Sequence, residues 1–268
     1  MTKTICRREL KLYINKNLII HLTLFLMIFS ASTQTKELTI LTEHLAPFQI
    51  VNKNEISGIS TEIVEATLES SSFDYNIEAY PWSLSYNRAL HEDDTCIYSI
   101  GRIPERELLF HWVGQIISST VSIYSLASST IKISTLNDAK TYKTAVIRDD
   151  VTHHFLLSKG FIENKNLYVM DNYDSLLQLL EKPSRNIDLV VLNDDLIYHR
   201  VKSTKAASKY KNVYSLQDLT LDFHFACSIK TEKNIVEELK EIMIKLEQKG
   251  ILPAIRKKWT PIMFNILD

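Results

Sequence analysis

Ser99-Ile100-Gly101-Arg102-Ile103-Pro104-Glu105-Arg106-Glu107-Leu108-Leu109-Phe110-His111-Trp112-Val113-Gly114 is the stretch on which the reading of the chain turns. The apolar run that leads into it, Cys96-Ile-Tyr-Ser-Ile100, predicts a buried strand. A polar turn with two arginines follows, and then an aromatic-rich segment. In an α/β sheet, ligands collect just past the carboxyl ends of the strands. An arginine there can grip a carboxylate through two parallel hydrogen bonds. The alternative is that Arg102 and Arg106 pair with Glu105 and Glu107 on a solvated turn.

Upstream, Glu37-Leu-Thr-Ile-Leu-Thr42 predicts a first strand that ends at Ala46-Pro47-Phe48. Gly58-Ile-Ser60 opens a helix with Ser60 as N-cap, Glu62 in the first turn and an apolar face at Ile63, Val64, Ala66 and Leu68. Tyr75–Tyr80 alternates like a second strand closed by Pro81, and Leu84–His91 predicts a short helix before the strand at Thr95–Ile100. This is a βαβαβ half, which implies a parallel sheet with right-handed crossovers.

Downstream, a β-rich passage at Ser118–Leu126 precedes a second cycle. Strands are expected at Thr144–Ile147, Asn166–Met170 and Asp188–Leu192, with helices at Thr152–Lys159, Tyr173–Leu180 and Asp194–Lys202. The chain returns through His224–Ile229 and finishes with an amphipathic helix, Ile235–Lys249, stopped by Gly250, and a short helix at Pro253–Trp259. A second α/β half inserted into the first predicts two lobes joined by two crossings, near Ser118–Tyr124 and Leu219–Phe223. The expected lobes are 37–121 with 222–268, and 122–221.

Residues 1–35 carry five basic side chains against one acid, then the apolar run Leu18–Phe29 and small residues from Ser30. This is the pattern of a secretory signal peptide cleaved near Ser32–Thr35. An uncleaved anchor is the alternative, although the apolar run is short of the roughly 20 residues that a spanning helix needs. Without this segment the 31 basic and 32 acidic residues fall to 26 and 31, a formal charge of −5. That balance argues against nucleic acid as a partner, since its phosphates demand a basic surface. Cys96 and Cys227 remain, either as a disulfide or as separate buried thiols.

The ordered set of segments resembles the bacterial extracellular solute-binding proteins of family 3, the periplasmic amino-acid-type proteins of ABC importers. Ser99 to Arg106 resembles their Ser-Ile-Thr-Pro-Glu-Arg element. Leu38-Thr-Ile-Leu-Thr-Glu43 with Ala46-Pro-Phe48 resembles their first strand and Pro-Phe turn, and Gly58-Ile-Ser-Thr-Glu-Ile-Val64 their first helix start. Leu246-Glu-Gln-Lys-Gly-Ile-Leu252 with Ile255-Arg-Lys-Lys-Trp259 resembles their closing motif. The resemblance covers the whole chain after residue 35. It implies an α/β, two-lobe Venus-flytrap fold, each lobe a mostly parallel sheet flanked by helices, with the ligand held between lobes. It also implies a periplasmic monomer, no cofactor or metal, and an ABC permease in the inner membrane as partner.

By position, the carboxylate-holding arginine of that family falls on Arg106, helped by Ser99 and Gly101. Two departures stand out. The helix start that normally reads Gly-Thr or Gly-Ser reads Arg148-Asp149-Asp150-Val151, where carboxylates suit the helix dipole but repel an anion. Asp149 or Asp150 is either a simple cap or a ligand contact, and Arg148, if it points inward, could hold a second acidic group. The aspartate that usually neutralises a ligand ammonium aligns with Asn193, with Asp194 and Asp195 beside it. Trp82, after the second strand, either covers a cationic or ring-bearing ligand or packs beneath its helix. His44 faces the same rim.

Five glycines form no phosphate-cradling loop, and there is no Gly-x-Ser-x-Gly elbow or Cys-x-x-Cys pair. His153-His154 lacks the spacing of a zinc-binding helix and is expected on a solvated face. A non-catalytic binder of a small polar ligand, an amino acid or related carboxylate, is therefore the expectation. The alternatives are a ligand-presenting subunit for a sensor, or a cyclohexadienyl- or arogenate-dehydratase-like enzyme of the same fold. The enzyme would use Asp149, Asp150 or Glu43, provided burial raised a carboxyl pKa toward neutrality.

Overall fold

Strands and helices alternate along the chain in the computed structural model. Their order is β1 (Glu37–Thr42), β2 (Ile50–Asn52), β3 (Glu55–Ser57), α1 (Ile59–Glu69), β4 (Asp74–Ala79), α2 (Trp82–His91) and β5 (Thr95–Gly101). A 3-10 turn (Pro104–Arg106), β6 (Phe110–Leu126), α3 (Leu136–Ala139), β7 (Thr144–Ile147), α4 (Val151–Ser158), β8 (Leu167–Met170) and α5 (Tyr173–Glu181) follow. The chain continues through β9 (Leu189–Asn193), α6 (Asp194–Thr204), β10 (Tyr210–Ser228), α7 (Lys233–Gln248) and α8 (Ile251–Phe264). The structure describes residues 37–264 apart from 54, 183, 185 and 205–208. The expected signal peptide over 1–35 lies outside the described residues.

The main sheet has the order β4-β1-β5-β10-β6-β9-β7-β8. Its two outer groups, β4-β1-β5 and β9-β7-β8, are parallel. β5 and β9 are buried at every position, as parallel strands covered on both faces must be. Between the groups, β6 and β10 pair antiparallel with each other and with their outer neighbours. At 17 and 19 residues they are long enough, roughly 55–65 Å at the usual rise, to run through both groups. Each group with its helices makes one lobe of a two-lobe α/β fold. The two expected crossings pair with each other, at Thr120↔Thr220, Ser119↔Leu221 and Ser118↔Asp222. Just beyond, the register slips between Ser215 and Thr220.

Cys96 and Cys227 are register partners on β5 and β10 and form a disulfide, which settles the choice left open by the sequence. α7 buries Ile235, Val236, Leu239, Met243 and Leu246, the three-and-four spacing that gives a helix one apolar face.

Some local expectations are corrected. α1 is capped by Gly58 rather than Ser60, because the backbone there has φ +121° and a Cβ would lie 2.4 Å from the Phe48 carbonyl oxygen. The last helix is longer than Pro253–Trp259, spanning Ile251–Phe264. Pro253 sits in its first turn, where a missing N–H breaks no helical bond. The hairpin of β2 and β3 has three residues per strand, too short to register as periodicity.

Candidate functional site

The carboxyl ends of β1, β4 and β5 face those of β7 and β8, and the charged residues of the two lobes meet there. Arg106 occupies the turn after β5 and is 1 % exposed. Its Nη1 donates to the Gly101 carbonyl at 3.0 Å, and its Nη2 crosses between lobes to the Asp149 carbonyl at 2.5 Å. The guanidinium lies over the rings of Tyr86, at 4.9 Å, and Trp82, at 5.5 Å. Trp82 Nε1 donates to the same Asp149 oxygen at 3.1 Å. Burial pushes the Arg106 pKa down from its ordinary value, while Tyr86, Asp150 and Asp149 act in the opposite direction.

The receiving turn is shaped for this contact. Asp149 has φ +56°, a left-handed conformation that a short polar side chain tolerates better than most. Its N–H donates to His153 Nδ1 at 3.3 Å, which leaves the proton on Nε2, 2.9 Å from Glu163 Oε1. His153 is thus buried and holds the turn, contrary to the solvated face expected of it. Gly101 packs so closely against α4 that a Cβ would lie 2.3 Å from Val151 Cγ2. Glycine at that position lets the lobes touch.

Asp150 caps α4: Oδ1 accepts from Thr152 N at 2.7 Å and Thr152 Oγ1 at 2.9 Å. Its Oδ2 accepts from the Tyr173 hydroxyl at 3.1 Å. Glu43, just past β1, is 5 % exposed and makes no hydrogen bond or ion pair among the described residues. Burial raises its pKa well above the usual carboxylate value, and the Asp150 charge raises it further. Burial likewise raises the Tyr173 hydroxyl, helped by Asp150 and Glu43. A cavity of about 230 Å³ opens beside these groups, walled by Glu43, His44, Tyr80 and Pro81 from one lobe and Asn172 and Tyr173 from the other.

The structure therefore brings Arg106, Gly101, Trp82 and Asp149 together, with His44 on the cavity rim, where its Nδ1 accepts from Val51 N at 3.0 Å. Of these residues only His44 lines the cavity, and Ser99, Arg148 and Asn193 join neither the cavity wall nor the Arg106 cluster. Ser99, at φ +57°, donates into its own lobe to Gln49 Oε1 at 2.9 Å. Arg148 is turned outward, half-exposed, and pairs with Asp171 at 3.2 Å, so it holds no second acidic group between the lobes. Asn193 is buried at the end of β9 with its Oδ1 unpartnered. Its neighbours are tied to the crossing strand β6: Asp194 accepts from Tyr124 and Thr120, and Asp195 from Ser119. Tyr86 and Tyr173 carried no sequence signal beyond being aromatic residues on helices near strand ends.

No protein-family model matches the chain, and no curated protein matches it. Solved structures do. A histidine kinase sensor domain with similarity to periplasmic binding proteins superposes with a TM-score of 0.74 over 84 % of this chain and 96 % of its own, at 17 % identity. The arginine-, lysine-, histidine-binding protein ArtJ of Geobacillus stearothermophilus gives 0.73 over 87 % and 97 %, at 16 % identity. A Streptococcus pneumoniae ABC uptake transporter substrate-binding protein, solved with bound histidine, gives 0.72 over 83 % and 92 %, also at 16 %. Residues 37–264 thus have the two-lobe fold of the periplasmic binding proteins.

Proposed function

We propose that this chain is an exported solute-binding protein that captures a small polar ligand between its lobes and passes it to an ABC permease. In this reading the lobes are 37–121 with 222–268, and 122–221, and closure occurs about the paired crossings of β6 and β10. The observation that carries it is the meeting of Glu43, Arg106 and Trp82 from one lobe with Asp149, Asp150 and Tyr173 from the other, beside a cavity between them. Ligands of open α/β sheets bind at the strand ends in the same way. Fold alone does not settle function, and the contents of the cleft are what support binding. ArtJ and the pneumococcal protein are binding proteins, which favours capture over catalysis.

A thermal-shift panel of amino acids, small carboxylates, amines and oligosaccharides tests the proposal. A ligand at about 100 times its dissociation constant adds about 2.7 kcal/mol to stability. The expected result is a raised melting temperature with the compound recovered unchanged. Consumption of the compound would move the reading to an enzyme with Glu43 as acid.

A further inference from the structure

We propose that the ligand is a compact organic cation without a carboxylate, an amine or guanidine held by Glu43, and that Arg106 is the latch between the lobes rather than the ligand clamp. The inference rests on the solute-binding reading above and narrows it.

Arg106 is 1 % exposed and already partly engaged by the protein, with two of its five N–H donors in hydrogen bonds. Both terminal nitrogens are bonded to backbone carbonyls, one of them in the other lobe, and aromatic rings flank the guanidinium. Its Nε is buried without a partner, and the residue is not part of the cavity wall. A carboxylate could reach it only after the contacts to Asp149 had opened. No lysine or arginine lines the cavity among the described residues, so a carboxylate placed there would meet Glu43 without a compensating charge.

A cation, by contrast, finds what it needs. Glu43 is enclosed, lacks a hydrogen-bond partner among the described residues and lines the cavity. An enclosed carboxyl without a partner is costly, and a positively charged donor relieves that cost. Asp150, whose charge acts on Glu43, adds negative potential behind it. The walls include Tyr80 and Tyr173, and aromatic faces attract ammonium and guanidinium groups. The other charged group close by, Arg88 over the Tyr80 ring, is already paired with Glu78 and Glu92. At about 230 Å³ the space lies below the range of ordinary drug-sized sites, which suits a compact ligand.

Matched probes decide the matter, because arginine and agmatine, or lysine and cadaverine, differ only by the carboxylate. Calorimetric titration of the intact protein should show a decarboxylated member binding at least tenfold more tightly than its parent amino acid. Glu43→Gln should weaken that binding at least tenfold, and the comparison of paired ligands on the unaltered protein stands even if the variant folds poorly. Tighter binding of arginine, lysine or glutamine, abolished by Arg106→Ala, would overturn the inference and leave the solute-binding reading intact. Absence of binding by every cation, with a hit of another class in the thermal panel, would overturn the inference alone. No hit of any class would overturn both.

Discussion

Arg106 and Asp149, from opposite lobes, are joined by a hydrogen bond from Nη2 of one to the backbone carbonyl of the other at 2.5 Å. Trp82 adds a second donor to the same oxygen. A charged donor to a carbonyl is among the stronger neutral-acceptor bonds, and the rings beside the guanidinium keep water from competing. The contact ties the turn after β5 to the start of α4 across the two lobes.

Trp82→Phe removes the Nε1 donor and also trims the buried indole to a phenyl ring. The lost neutral hydrogen bond, about 0.5–1.5 kcal/mol, adds to the cost of the space left behind, so the melting temperature should fall. Arg106→Lys should cost more, because an ammonium cannot bond both carbonyls in the fork geometry. Small-angle scattering should show a larger radius of gyration for Arg106→Lys than for the unaltered protein. Equal radii and equal melting temperatures would rule out the latch.

Gly101→Ala places a methyl where Val151 Cγ2 already lies. Overpacking of this kind costs about 1–3 kcal/mol, and here the lobes can relieve it by parting. The variant should scatter as an expanded molecule. Val151→Ala removes the clashing atom, so the double variant should regain much of the lost stability, a coupling that a double-mutant cycle reads directly.

Much of this site was legible in the chain before any coordinates. Arg106 after a buried strand, Trp82 after Pro81, and Asp149-Asp150 at a helix start all sit at strand ends, where an α/β sheet gathers its ligands. What the sequence did not carry was the use made of them. The acceptor for Arg106 is a backbone oxygen, which every residue possesses. Arg148 turns outward because Asp171, distant in sequence, follows the adjacent strand β8 and offers it an exposed partner. His153 is buried because the Asp149 N–H needs an acceptor, a demand created by the left-handed turn rather than by helical pattern. The fold was read from the all-buried β5 and β9 and from strand-helix alternation. The full lengths of β6 and β10 were missed because each passes through two lobes and several register slips.

Glu43, like Glu65 and Asp195, should contribute to the pH dependence of stability with a sign opposite to that of the ion-paired carboxylates. Glu43 has a folded pKa above its unfolded value, owing to burial and then to Asp150. Its contribution to stability is fully present below the unfolded carboxylate value and is lost as pH rises toward the folded one. Asp150, Tyr173 and His44 lie around it, and Arg106 acts on the same group of residues. Glu78, Glu107 and Glu181, held low mainly by hydrogen bonds from Arg88, Arg102 and Tyr210, lose stability in the other direction as pH falls. The difference between the unaltered protein and Glu43→Gln isolates the effect. The variant should be the more stable of the two near pH 7, and its advantage should vanish toward pH 4. A melting-temperature difference independent of pH would show that Glu43 does not titrate in this way.

The Cys96–Cys227 bridge closes a loop of 131 positions through the middle of the sheet. Loop-closure entropy for spans of this order is worth about 4–5 kcal/mol, and losses on removal of native bridges run about 2–5. Replacing both cysteines by alanine should lower the urea midpoint by a corresponding amount. Retention of the original midpoint would mean that the bridge constrains the unfolded chain little.

The most direct test of the whole account is titration calorimetry with the compound that stabilises the protein best in the thermal panel. The account predicts one site per chain, heat that disappears in Glu43→Gln, and a compound recovered chemically unchanged. A stoichiometry other than one, binding indifferent to substitution of Glu43, or conversion of the compound would contradict it.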